Sequence, residues 1–68
     1  MTTWCGSVPP QDDFGVPIKS EFIDGRTREG PWAMMSPWSH RAYGVGLGTG
    51  KGQKYQKKED GKWHKVQG

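Results

Sequence analysis

The sequence predicts a small α+β domain of two β-hairpins and one short helix, and three observations point there. Asp24-Gly25 and Asp60-Gly61 each stand between short runs of strand-forming residues, as hairpin turns do. Ser36-Pro37 opens a stretch that closes at Gly44, the pattern of a brief capped helix. Four Trp, two Tyr and two Phe supply enough ring area to build a core in a 68-residue chain whose hydrophobic share is only 31%, which argues against full disorder.

Residues 1–13 carry Pro9-Pro10 and the pair Asp12-Asp13, so an extended or mobile arm is expected there, anchored by Trp4. The domain proper is expected over residues 14–68. Phe14-Gly15-Val16-Pro17-Ile18 reads as a turn leading into an irregular edge strand. Glu21-Phe22-Ile23 is the first strand, Asp24-Gly25 its turn, and Arg26 to Glu29 lead back towards the apolar run Trp32 to Met35.

The helix is predicted over Pro37 to Tyr43. The Ser36 side chain accepts a hydrogen bond from an unpartnered N–H of the first turn, proline at the first helical position gives up an N–H that has no partner, and Gly44 ends the helix with positive φ. Gly44 to Gly52 then places glycine at every second position, which in an extended segment puts all the glycines on one side and leaves that side open to close approach. Gln53 to Val66 forms the second hairpin, rich in lysine, with a two-residue turn at Asp60-Gly61.

Charge divides the chain. Residues 1–40 carry three cations against five anions, a balance of −2, whereas residues 41–68 carry seven cations against two anions, a balance of +5. The basic half is where an anionic partner is attracted. Cys5 is the only cysteine, so an intramolecular disulfide is excluded and a reducing compartment is expected. The first 20 residues hold no apolar leader, and nowhere do 18 apolar residues run together, which predicts a cytoplasmic protein with no membrane partner.

Enzymatic chemistry finds little footing. A phosphate-binding P-loop, counted back from Gly50-Lys51, puts Val45 where its first glycine belongs and Gly52 where its hydroxyl belongs. The dinucleotide pattern fails in every register, its third glycine falling on Thr49, Lys51 or Gln53. Cys5, His40 and His64 lie in different elements and carry no nucleophile signature. No catalytic residue and no cofactor are therefore expected.

Two binding readings remain. Lys51, Lys54, Lys57, Lys58, Lys62 and Lys65 can neutralise phosphates while Tyr55 or Trp63 stacks on an unpaired base, which suits nucleic acid. Against this stands a plainer role for Tyr55 and Trp63 as core. The alternative is a protein-binding surface made of Trp32, Met34, Trp38 and Arg41, since exposed Trp and Arg are frequent interface anchors.

Set side by side, these segments resemble the small, uncharacterised zinc-ribbon-like proteins of tailed phages and prophages. Their pattern runs C-x-x-C-G-x-P-I, then D-G-x-T-x-x-G-P-W-A-x-M, then C-x-x-C-H, then G-V-G-L-G-T-G-x-G-Q-x-Y. The matching residues here are Gly15, Pro17, Ile18, Asp24, Gly25, Thr27, Gly30 to Ala33, Met35, His40, Gly44 to Gly50, Gly52, Gln53 and Tyr55. The four cysteine positions are occupied by Gln11, Phe14, Ser36 and Ser39, with 21 residues between the two knuckles. The resemblance thus implies a zinc ribbon that has lost its metal, because a structural zinc site needs about four N, S or O ligands. Phe14 is expected to fill the vacated volume beside Trp32 and Trp38, and a residual site from Cys5, His40 and an aspartate fits no ribbon spacing. The phage origin makes a host enzyme or defence protein the natural target of the protein-binding alternative, with a minor virion component as a third possibility.

Overall fold

In the computed structural model, which describes residues 2–68, the elements follow as β1 (Glu21–Arg26), β2 (Trp32–Met35), α1 (Pro37–Tyr43), β3 (Gly52–Lys57) and β4 (Trp63–Gln67). The strands form one antiparallel sheet in the order β2-β1-β3-β4. The two predicted hairpins are therefore halves of a single sheet, joined where β1 pairs β3 and Phe22 lies opposite Tyr55.

Strand alternation gives the sheet two faces. One carries Phe22 and Tyr55, whose rings stack at 5.2 Å and 11°, with Trp63 edge-on to Phe22. Trp4 closes this cluster, meeting Phe22 at 5.1 Å and Tyr55 at 5.4 Å in T-shaped contacts. The other face carries Ile23 and Met35, both buried, and α1 packs against β1 and β2. Aromatic area thus does on one face what aliphatic residues do in larger cores.

Residues 2–4 pair with the sheet. The Lys65 amide donates to Thr2 O and the Trp4 amide to Trp63 O, each at 2.8 Å, so the start of the chain lines the outer edge of β4. Trp4 anchors this segment, as the sequence predicts.

The helix has the predicted bounds and the predicted cap: Ser36 Oγ accepts from the Ser39 amide at 3.1 Å, with Pro37 in the first turn. Gly44, by contrast, is extended at φ −81°. Its reason is space, since a Cβ there would come within 2.3 Å of the His40 ring.

Three other expectations are corrected. Asp24-Gly25 is not a turn; β1 runs through it, and the connection to β2 comes at residues 27–31, closed by Thr27 N donating to Pro31 O. Glycine is required at position 25 because a Cβ would lie 2.8 Å from Lys51 O and 3.0 Å from the Gly52 Cα. The β3–β4 turn spans Lys58 to Lys62, with Gly61 at φ +80° after the bend, so Asp60-Gly61 marks the right place but not a two-residue loop. The glycine run does not stay extended: Gly46, Gly48 and Gly50 all have positive φ, and the chain folds back on itself where Gly48 and Gly52 exchange backbone hydrogen bonds. The Gly46 carbonyl passes 3.2 Å from where a Gly52 Cβ would sit, so this loop lies directly on the glycine pair of β1 and β3.

A candidate interaction face around Asp12

Asp12 is the polar centre of the molecule. Its Oδ1 accepts from the amides of Phe14 at 2.8 Å and Val16 at 2.9 Å, the turn an aspartate makes with its own following backbone. Its Oδ2 accepts from the Ser36 amide at 2.7 Å, and the Ser39 hydroxyl helps to stabilise the charged carboxylate. Ser36 Oγ donates in turn to Ser39 Oγ at 3.3 Å. Burial raises the pKa of this carboxyl, but the hydrogen bonds from Ser36, Ser39, Val16 and Phe14 outweigh it and hold the value at about 2. Next door, Asp13 exchanges bonds with the backbone of Met34: its amide donates to Met34 O at 3.0 Å, and its Oδ2 accepts from the Met34 amide at 2.8 Å.

These contacts join the loop that contains Gln11 and Phe14 to the one that contains Ser36 and Ser39. Ser36 and Ser39 are buried, while Gln11 and Phe14 are exposed. Phe14 does not fill a volume beside Trp32 and Trp38. It turns outward at 43% exposure and stacks on Tyr43 at 4.5 Å and 28°, because Asp12 already takes the donors that converge between the loops. Trp38, 58% exposed, stands edge-on to Tyr43 at 6.3 Å. Three aromatic rings from two segments therefore share one exposed face.

Beside this face is a cleft of about 350 Å³ lined by Phe14, Thr27, Arg28, Glu29 and Tyr43. Arg28 is fixed at its rim. Its amide donates to Tyr43 O at 2.8 Å and its Nε to Gly44 O at 3.3 Å, and neither ion pair among the described residues involves it.

The other predicted residues are divided by the fold. Trp32 and Met34 share the Phe22 face of β1, away from α1, and Trp32 Nε1 donates to Asp24 Oδ1 at 2.8 Å. Arg41 is exposed on α1 with Trp38. Among the lysines, Lys57 and Lys65 flank the aromatic cluster, Lys58 and Lys62 bracket the hairpin turn, and Lys51 sits in the distant glycine loop. Lys54 faces the other way and pairs with Glu21 at 3.5 Å. Tyr55 is 8% exposed and stacked on Phe22, so an unpaired base has no access to its ring; Trp63 is half-buried.

Among the described residues no three His, Cys, Asp or Glu side chains come together as metal ligands. Cys5 is exposed, and His40 Nε2 is engaged by Gly46 O at 2.9 Å. No helix is long and apolar enough to cross a membrane. Comparison of the chain with family models, with curated proteins and with solved structures finds no match.

Sequence reasoning passed over Asp12, Arg28 and Tyr43. A signal existed for Asp12 alone: an aspartate three residues before a glycine favours a turn closed by its own side chain, and the Gly15 amide does donate to Asp12 O at 3.0 Å.

Proposed function

We propose that this chain is a small, non-enzymatic binding module that docks onto a protein through Phe14, Trp38 and Tyr43. One observation carries the reading: three of the four exposed rings, Phe14, Trp38 and Tyr43, gather on the α1 side of the molecule while the fourth, Trp32, stands apart on the other face of the sheet, whereas the rings beside the lysines are wholly or partly packed in the core. Singly exposed apolar residues are ordinary, but three in contact beside a cleft mark an interaction surface. The resemblance to phage zinc-ribbon-like proteins fits this reading as an ancestry, with the Asp12 carboxylate standing where a metal held two knuckles, and it makes a host protein in the cytoplasm the natural partner. The test is affinity capture from nuclease-treated host lysate with the wild type and with F14A/W38A/Y43A. A partner retained by the first and lost by the second supports the reading; identical captures refute it.

A second reading rests on Lys57, Lys58, Lys62 and Lys65, which the β3–β4 hairpin places around Trp63 at one end of the sheet. These are positions for phosphate contact, and the reading requires oligonucleotide binding that weakens steeply with salt and loses slope when the four are replaced by glutamine.

A further inference from the structure

From the geometry of the Phe14–Arg28–Tyr43 cleft we infer its ligand class: a peptide segment that presents an aromatic or branched aliphatic side chain next to a carboxylate. This deepens the protein-docking reading and rests on it. The stacked Phe14 and Tyr43 rings supply an apolar wall, and the cleft volume of about 350 Å³ gives room for one large side chain and its neighbour. Arg28 supplies the polar half. The bond from its amide to Tyr43 O fixes its backbone, and one bond from its Nε to Gly44 O, at 3.3 Å, orients the guanidinium at the rim. The bond at Nε leaves the two Nη groups to fork onto a carboxylate and removes part of the side-chain freedom that binding would otherwise cost.

Glu29 at the same rim sets the class of partner. Its carboxylate repels a phosphodiester and a peptide carboxylate alike, and a phosphodiester brings it no compensating donor. A peptide instead brings backbone N–H groups that this carboxylate accepts. The Glu29 acceptor and the apolar wall therefore favour a peptide over a nucleic acid, and the preference for a carboxylate on that peptide rests on Arg28 alone.

The experiment follows backbone amides of the full chain by heteronuclear NMR during titration with acetyl-Glu-Phe-Glu-amide, acetyl-Gln-Phe-Gln-amide and oligothymidylate. The acidic peptide is expected to shift the amides around Phe14, Arg28 and Tyr43 saturably, and to bind at least about 10-fold more tightly than its glutamine counterpart. Arg28→Gln, which leaves the amide bond to Tyr43 O intact, is expected to abolish that preference while the spectrum stays dispersed. The inference is overturned by equal affinity for the two peptides, by a preference that survives Arg28→Gln, by shifts at the cleft from oligothymidylate instead, or by no saturable shift up to about 10 mM peptide. The docking reading fails separately, through a lysate capture that F14A/W38A/Y43A leaves unchanged.

Discussion

Asp12 Oδ2 accepts the Ser36 amide at 2.7 Å, a bond between residues 24 apart in sequence and buried in the folded protein. The same carboxylate organises the turn that presents Phe14 and, through Ser36 and Ser39, the first turn of the helix that presents Trp38 and Tyr43. In a chain of this size, where core burial nets only about 3–5 kcal/mol, one satisfied buried anion of this kind is a large share of stability. The candidate interaction face and the fold are thus held by the same group.

Acid should loosen the molecule through this group. The folded pKa of Asp12 is lowered from 3.8 to about 2, so its contribution is fully present above pH 3.8 and is lost as pH falls towards 2. That shift is equivalent to about 2 kcal/mol. Glu21 is lowered as well, first by Gln56 and then by Lys54, and adds in the same direction. Urea midpoints measured between pH 6 and pH 2 should therefore drop most steeply below about pH 4. A flat profile down to pH 2 is the contrary result.

The helix cap offers a smaller, local effect. Ser36→Ala removes the acceptor of the Ser39 amide but leaves the Ser36 amide on Asp12. The expected cost is about 1 kcal/mol, which in a domain of this length lowers Tm by roughly 4–8 °C. Calorimetry on the variant measures it.

Gly25 distinguishes a strand from a turn. Were Asp24-Gly25 a hairpin turn, asparagine would be tolerated at position 25; in the interior of β1 a Cβ meets Lys51 O at 2.8 Å. Gly25→Asn should cost more than about 2 kcal/mol by urea unfolding, whereas Gly61→Asn, at φ +80° with nothing near its Cβ, should cost under about 1 kcal/mol. Equal costs would contradict the register of β1 on β3.

A vacated metal knuckle should be refillable. If Gln11, Phe14, Ser36 and Ser39 stand where four thiolates once converged, the Q11C/F14C/S36C/S39C protein takes one cobalt ion with the absorption of a tetrahedral thiolate site, and its Tm rises with the metal. The wild type, unfolded by heat with and without a chelator, gives the same Tm. A cobalt spectrum of an octahedral oxygen site in the variant, or a chelator-sensitive wild type, rejects the ribbon ancestry.

What the sequence reveals and conceals follows from the range of each interaction. The helix from Pro37 to Tyr43 is readable because its cap is an i to i+3 contact between Ser36 and Ser39. The β3–β4 turn is readable in place, though not in length, because Asp60 and Gly61 make contacts within it. Gly25 misleads because an Asp-Gly pair has the composition of a turn, while its cause, the approach of Lys51 and Gly52, comes from residues more than 25 positions away. Gly44 misleads similarly, its constraint being the His40 ring and not its own dihedral. The candidate interaction face is only partly legible: Trp38 reads as an exposed anchor, but the stacking of Phe14 on Tyr43 depends on Asp12 drawing the two loops together.

Asp12→Asn is the most direct test of that junction. The amide keeps one acceptor but turns an NH₂ towards either the Ser36 amide or the Phe14 and Val16 amides, so a donor faces a donor whichever way it is placed. Urea unfolding at pH 7 should show a loss of about 2–4 kcal/mol, with the acid-dependent part of the wild-type stability correspondingly reduced. An Asp12→Asn protein within about 0.5 kcal/mol of the wild type, and with the same stability loss in acid, would contradict the view that this carboxylate holds the two loops together.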